Sequence, residues 1–203
     1  MDDARIALVR IAAALPGSLA DLRLAVREAV GVADPDAVEE VILQSYLFAG
    51  YPAALNAFRI WRETSGRAAP APVPDDPALW ARRGPEVFGI VYGEQAAKLR
   101  ENAASLHPDL ERWALNEGYG KVLGRPGLDL ATRELCIAAL LATLDAEPQL
   151  YAHLRGALNA GASEQDVEDA LREAGRGLTA ERARAARDTW ARVRERRRER
   201  TES

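Results

Sequence analysis

The sequence predicts an all-α protein, and three observations carry that expectation. The chain is rich in Ala, Leu, Arg and Glu, residues that lose little freedom in a helix. Apolar residues recur three and four positions apart, the period of one buried helical face. Aromatics make up only 6% of the 203 residues, and the alternating β-branched runs of a half-buried strand are scarce.

From Asp2 to Glu63 the helical pattern comes in two or three pieces, interrupted at Pro16-Gly17 and around Gly31 to Pro35. The last piece, Asp36 to Arg62, carries Val38, Val41, Ile42, Ser45 and Tyr46 along one face. Thr64 to Pro77 reads TSGRAAPAPVPDDP, and its four prolines stop any helix. It is expected to be an extended linker. Helices are then expected over Pro85 to Ser105, Pro108 to Asn116, Asp129 to Leu144, Pro148 to Ala160 and Ser163 to Ala174. Asp129 and Pro148 are start signals, Gly161 is a stop signal, and Ser163 with Asp166 has capping-box spacing. The closing WARVRERRRER, Trp190 to Arg200, reads as a solvated basic helix end whose glutamates interrupt the charge.

Laid on its second half at an offset of 128 to 129, the start of the chain pairs Arg5 with Arg133, Leu22 with Leu150, Val38-Glu39-Glu40 with Val167-Glu168-Asp169, and Trp61 with Trp190. An internally duplicated fold is expected: a first, degenerate repeat at 1–63, a linker at 64–78, a second repeat at 79–189 and a basic tail at 190–203.

The charge balance excludes some functions. Lys and Arg number 27 against 31 Asp and Glu, for a formal charge of −4, so a nucleic-acid partner is not expected. Neither is a membrane partner, because no stretch reaches the length of apolar residues a span needs. The N-terminal MDDARIALVR, lacking a long apolar run, is not expected to be an export signal. A single cysteine, Cys136, excludes an internal disulfide and fits a reducing, cytoplasmic setting. His107 precedes a helix-starting proline and is expected to cap or lie exposed. With only two histidines in the chain, no metal site is expected.

The functional clue lies in Glu134 and His153, nineteen residues apart, each on an otherwise apolar helical face. Leu130, Ile137, Ala138 and Leu141 surround the first; Leu150, Leu154 and Ala157 surround the second. A buried carboxylate is costly unless paired, so the two are expected to face each other or a ligand, as a structural hydrogen bond or as acid–base chemistry.

NEGYGKVLGRPGLDLATREL (Asn116 to Leu135) followed by PQLYAHLRGALNAGASEQDVEDAL (Pro148 to Leu171) resembles the carboxymuconolactone decarboxylase family of the alkylhydroperoxidase D-like superfamily. EEVILQSYLFAGYPAALNAF (Glu39 to Phe58) resembles the element that ends a single-domain member. The resemblance implies an alkylhydroperoxidase D-like helical fold assembled as a homo-oligomer, a trimer or hexamer. The peroxidase branch places a CxxC pair between its Glu and His. Here those positions hold Ala146 and Gln149, so thiol-based peroxide reduction has no nucleophile.

The decarboxylase branch also lacks the cysteines. It implies a lyase that releases carbon dioxide from a small carboxylated lactone or related acid without a cofactor. His153 would be the acid/base and Glu134 its orienting partner, with contact feasible directly or through one water. For substrate carboxylates the nearest arginines in sequence are Arg125 and Arg133, unless they serve in helix-end and surface ion pairs. Gln149, Tyr119, Tyr46 and Tyr51 are further lining residues, and residues 46–52 of the first half are expected to complete the site around His153. The alternatives are an oligomeric scaffold that retains the fold, or an antioxidant protein using external thiols. Cys136, about 200° around the helix from Glu134, is expected to be an inert core thiol.

Overall fold

The structure is a computed structural model, described here for residues 1–201. Those residues form helices joined mostly by short connections, with no strand among them. None of the helices is long and apolar enough to cross a membrane.

Each of the first three helices opens on a side-chain cap, which satisfies backbone N–H groups that have no partner in the first turn. Asp2 caps α1 (Asp3–Ala14), Ser18 caps α2 (Leu19–Ala29) and Asp34 caps α3 (Pro35–Gln44). The stretch expected as one helix over Asp36 to Arg62 is two, because the chain breaks at Ser45 and resumes as α4 (Tyr46–Ser65). Inside α4, Gly50 at φ 80° and ψ 165° sets the first turn at an angle to the rest, a conformation open to glycine and costly for other residues. Gly66 at φ 70° ends α4. The irregular stretch then covers 66–76.

The helix expected over Pro85 to Ser105 starts eight residues earlier and divides. Asp76 caps α5 (Pro77–Tyr92), which tolerates Pro85 inside it. Gly93 (φ 54°, ψ −133°) ends α5, and one short 3₁₀ turn leads to α6 (Ala96–Leu106). The His107 ring nitrogen accepts a hydrogen bond from the Asp109 N–H and caps α7 (Pro108–Trp113). Beyond α7 the chain widens into a π-helical stretch, Ala114–Leu123, where the expected helix stopped at Asn116. Here α5 crosses so closely that backbones touch: a Cβ at Gly84 would stand 2.1 Å from the Leu115 carbonyl oxygen, and one at Gly120 would stand 2.4 Å from that of Trp80.

The centre of the molecule is α8 (Leu130–Leu144), capped by Asp129. Leu135 to Leu140 are all buried, so this helix is apolar on every side, as one enclosed by others must be. It is covered by α1, α9 (Glu147–Asn159), α10 (Glu164–Gly175), α11 (Ala180–Thr201) and α4. The Ser163–Asp166 capping box starts α10. Arg5 of α1 donates to Thr132 at 2.9 Å, and Arg10 pairs with Glu173 at 2.8 Å. The N-terminal helix is thereby tied to the second half of the chain.

Candidate functional site

Glu134, one turn into α8, and His153, midway along α9, meet directly. His153 Nδ1 and Glu134 Oε2 are 2.8 Å apart, with Glu134 0% exposed and His153 5%. What lets the helices approach is Gly156, three residues after His153. A Cβ there would lie 2.5 Å from Glu134 Oε2 and 2.7 Å from Val91 Cγ1, well inside van der Waals contact. Gly156→Ala should therefore displace the carboxylate, break the pair and cost about 1–3 kcal/mol of stability. The imidazole NMR signals of His153 check this. A variant that leaves them unshifted would show that the close approach is dispensable.

Aromatic side chains enclose the pair. Phe48, from the first turn of α4, stands edge-on to the His153 ring at 5.5 Å, and Tyr92, at the end of α5, does so at 6.3 Å. The Tyr119 hydroxyl donates to that of Tyr92 at 2.7 Å, and Phe88 packs on both tyrosine rings. The remaining Glu134 oxygen, Oε1, is buried with no hydrogen-bond partner among the described residues. Native proteins rarely leave a buried carboxylate oxygen unsatisfied.

Burial, reinforced by the charge of Glu134, pushes the Tyr92 hydroxyl up to about 12, and burial holds Tyr119 well above the usual tyrosine range. Both hydroxyls are protonated and neutral at physiological pH. The unfolded chain releases these protons from about pH 10 upward while the folded chain keeps them. Stability should thus fall as pH rises from 10 toward 12, by at most about 1.4 kcal/mol per pH unit from Tyr92. Urea midpoints taken across that range should decline, and Tyr92→Phe should flatten the decline.

Of the residues singled out in the sequence, the structure brings together Glu134, His153 and Tyr119. Phe48 belongs to the 46–52 segment expected near His153. Tyr92 and Phe88 were missed, although their four-residue spacing puts them on one face of α5. Tyr46 instead donates to Glu117 at 2.9 Å and stacks on Tyr51, itself 65% exposed; Gln149 is exposed at the start of α9.

The two arginines expected to receive substrate carboxylates do otherwise. Arg133 precedes Glu134 and so points about 100° away around α8. It is 0% exposed, neither at the surface nor facing the pair. Its guanidinium donates to Glu40 at 2.8 Å, to Gln44 at 3.2 Å and to the carbonyls of Leu128, Arg125 and Pro126. Arg125 shares the same Glu40, at 3.1 Å. Cys136 is fully buried, its thiol pushed up to about 12 by desolvation, and is unreactive as a nucleophile.

Residues 108–191 match the profile of the Carboxymuconolactone decarboxylase family. That span includes Glu134 and His153 but neither Phe48 nor Tyr92. Three relatives are similar. A protein named Peroxisomal protein 2, from Schizosaccharomyces pombe, is 30% identical over 163 residues, covering 76% of this chain and 75% of its own length. The 4-carboxymuconolactone decarboxylase of Acinetobacter baylyi is 31% identical over 91 residues, 44% of this chain and 68% of that protein. The Peroxisomal protein 2 of Saccharomyces cerevisiae is 28% identical over 159 residues, covering 64% of this chain and 56% of that one.

Proposed function

Because this chain belongs to the carboxymuconolactone decarboxylase family, we propose that it is a cofactor-free, decarboxylase-like enzyme acting on a small carboxylated lactone or related acid. The observation that carries this reading is the buried His153–Glu134 contact with one carboxylate oxygen left over. With Nδ1 engaged by Glu134, Nε2 is the nitrogen free to exchange a proton with substrate. The substrate's C–C bond to its carboxylate breaks and carbon dioxide leaves. The bonding electron pair passes into the conjugated lactone carbonyl as an enolate. Protonated His153 then delivers its Nε2 proton to the carbon, and solvent restores it. Glu134 stabilises the imidazolium and holds the ring orientation. Phe48 covers the ring, so the first half of the chain supplies the lid over a pair held by the second.

The test is carbon dioxide release from 4-carboxymuconolactone and related carboxylated lactones by the purified chain. Turnover of any of them, abolished by substitution of His153, supports the reading; no turnover of any removes it. A second reading, an oligomeric scaffold with a structural Glu–His bond, is favoured by how completely the pair is buried. It predicts that the same substitution alters stability alone.

The internal duplication belongs to this reading and has geometric support. In order and approximate length, α1 to α4 recur as α8 to α11. Trp61 donates to Glu39, and at the matching positions Trp190 donates to Glu168; each glutamate also binds an arginine of the same helix as its tryptophan, Arg62 in one and Arg194, at a different register, in the other. Association into a trimer or hexamer is supported by Leu106, Leu110 and Trp113, apolar and exposed along α6 and α7. A monomer by sedimentation equilibrium would remove it.

A further inference from the structure

Tyr92, which contacts His153, also lines a groove of about 830 Å³ between α9, α11 and the turn after α5. Its walls include Arg155, Arg196 and Arg200, with Tyr92, Tyr151 and Asn159. Arg200 is paired with Glu94 at the rim. Arg155 and Arg196 are different: neither makes an ion pair or side-chain hydrogen bond among the described residues, and Arg155 is half-buried. Other buried and half-buried arginines have partners: Arg133 and Arg125 meet Glu40, Arg62 meets Glu39, and Arg83 donates to the Gly120 carbonyl. A half-buried guanidinium without an acidic partner gives up part of its hydration with nothing in return unless an anion completes it.

Asn159, which lines the groove, donates to the Val91 carbonyl at 2.9 Å and ties the end of α9 to the end of α5. The volume suits a small molecule. It lies in a chain whose overall formal charge is −4, so the basic character is not a property of the whole surface.

We infer that this groove binds a small polyanion, a phosphate ester or a polycarboxylate, on Arg155 and Arg196. The inference stands whether or not His153 is catalytic, because binding is read without turnover. Isothermal titration of the full chain with inorganic pyrophosphate and, separately, with citrate tests it. One-site binding of at least one probe is expected, weakened tenfold or more by Arg155→Gln and by Arg196→Gln. Arg184→Gln, on the exposed side of α11 beside Asp188, removes the same charge outside the groove and should leave the affinity unchanged. Circular dichroism melts establish that each variant is folded. Preference for pyrophosphate assigns the phosphate class, and preference for citrate the carboxylate class. No saturable binding of either probe overturns the inference, as does an equal loss in Arg184→Gln. So does binding of single-stranded RNA that exceeds both probes and is untouched by Arg155→Gln.

Discussion

His153→Gln is expected to lower turnover of a carboxylated lactone by a factor of roughly 10²–10⁴, the usual contribution of a positioned proton donor. Glutamine preserves volume and can still bond to Glu134, so the core around α8 and α9 should stay intact and the melting temperature should move little. Glu134→Gln is the informative companion. It keeps a hydrogen-bond partner at 2.8 Å from Nδ1 but removes the negative charge that favours imidazolium. Turnover should fall less, and its pH profile should shift, which a change in packing alone would not produce. A His153→Gln enzyme working at the full rate would leave the pair a structural feature and end the proton-transfer account.

Arg133→Ala is expected to be the most destabilising single substitution outside the apolar core, at about 3–5 kcal/mol, because it empties an enclosed site and leaves Gln44 and three backbone carbonyls without their donor, with Glu40 keeping only Arg125. The guanidinium is wholly enclosed, and five hydrogen bonds tie the start of α8 to α3 and to the loop before α8. Burial pulls its pKa down while Glu40 pushes it back up, so the ion is held in place by its partner. Arg125→Ala provides the comparison. It meets the same Glu40 from a partly exposed position and should cost no more than about 1 kcal/mol. Denaturant midpoints for the two variants should differ severalfold in their displacement; equal displacements would mean that Arg133 is not the keystone of this contact.

Much of the architecture was legible because it rests on local chemistry. The caps at Asp129 and Ser163, the stop at Gly161 and the apolar periods of α8 and α9 all act over a few residues. The meeting of Glu134 with His153 follows from two helices joined by a short connection. What escaped was set by distant neighbours. Glu40 lies 93 residues from Arg133 in sequence, and no local pattern distinguishes an arginine that will be enclosed from one that will face solvent or substrate. Tyr92 and Phe48 come from separate helices outside the family match, and only tertiary packing places their rings around the imidazole. Gly93 divides α5 from α6 because its backbone adopts a positive φ, a demand that composition alone does not reveal.

The packing of α1 against α8 and α10 has a consequence for biosynthesis. Val9 and Ile11, fully enclosed in the finished molecule, leave the ribosome more than a hundred residues ahead of part of their cover. The nascent first half must therefore wait, greasy and incomplete, until α8 and α10 have emerged. Such long-separation contacts slow folding and lengthen the window for mispairing, so the two halves should fold together and not one after the other.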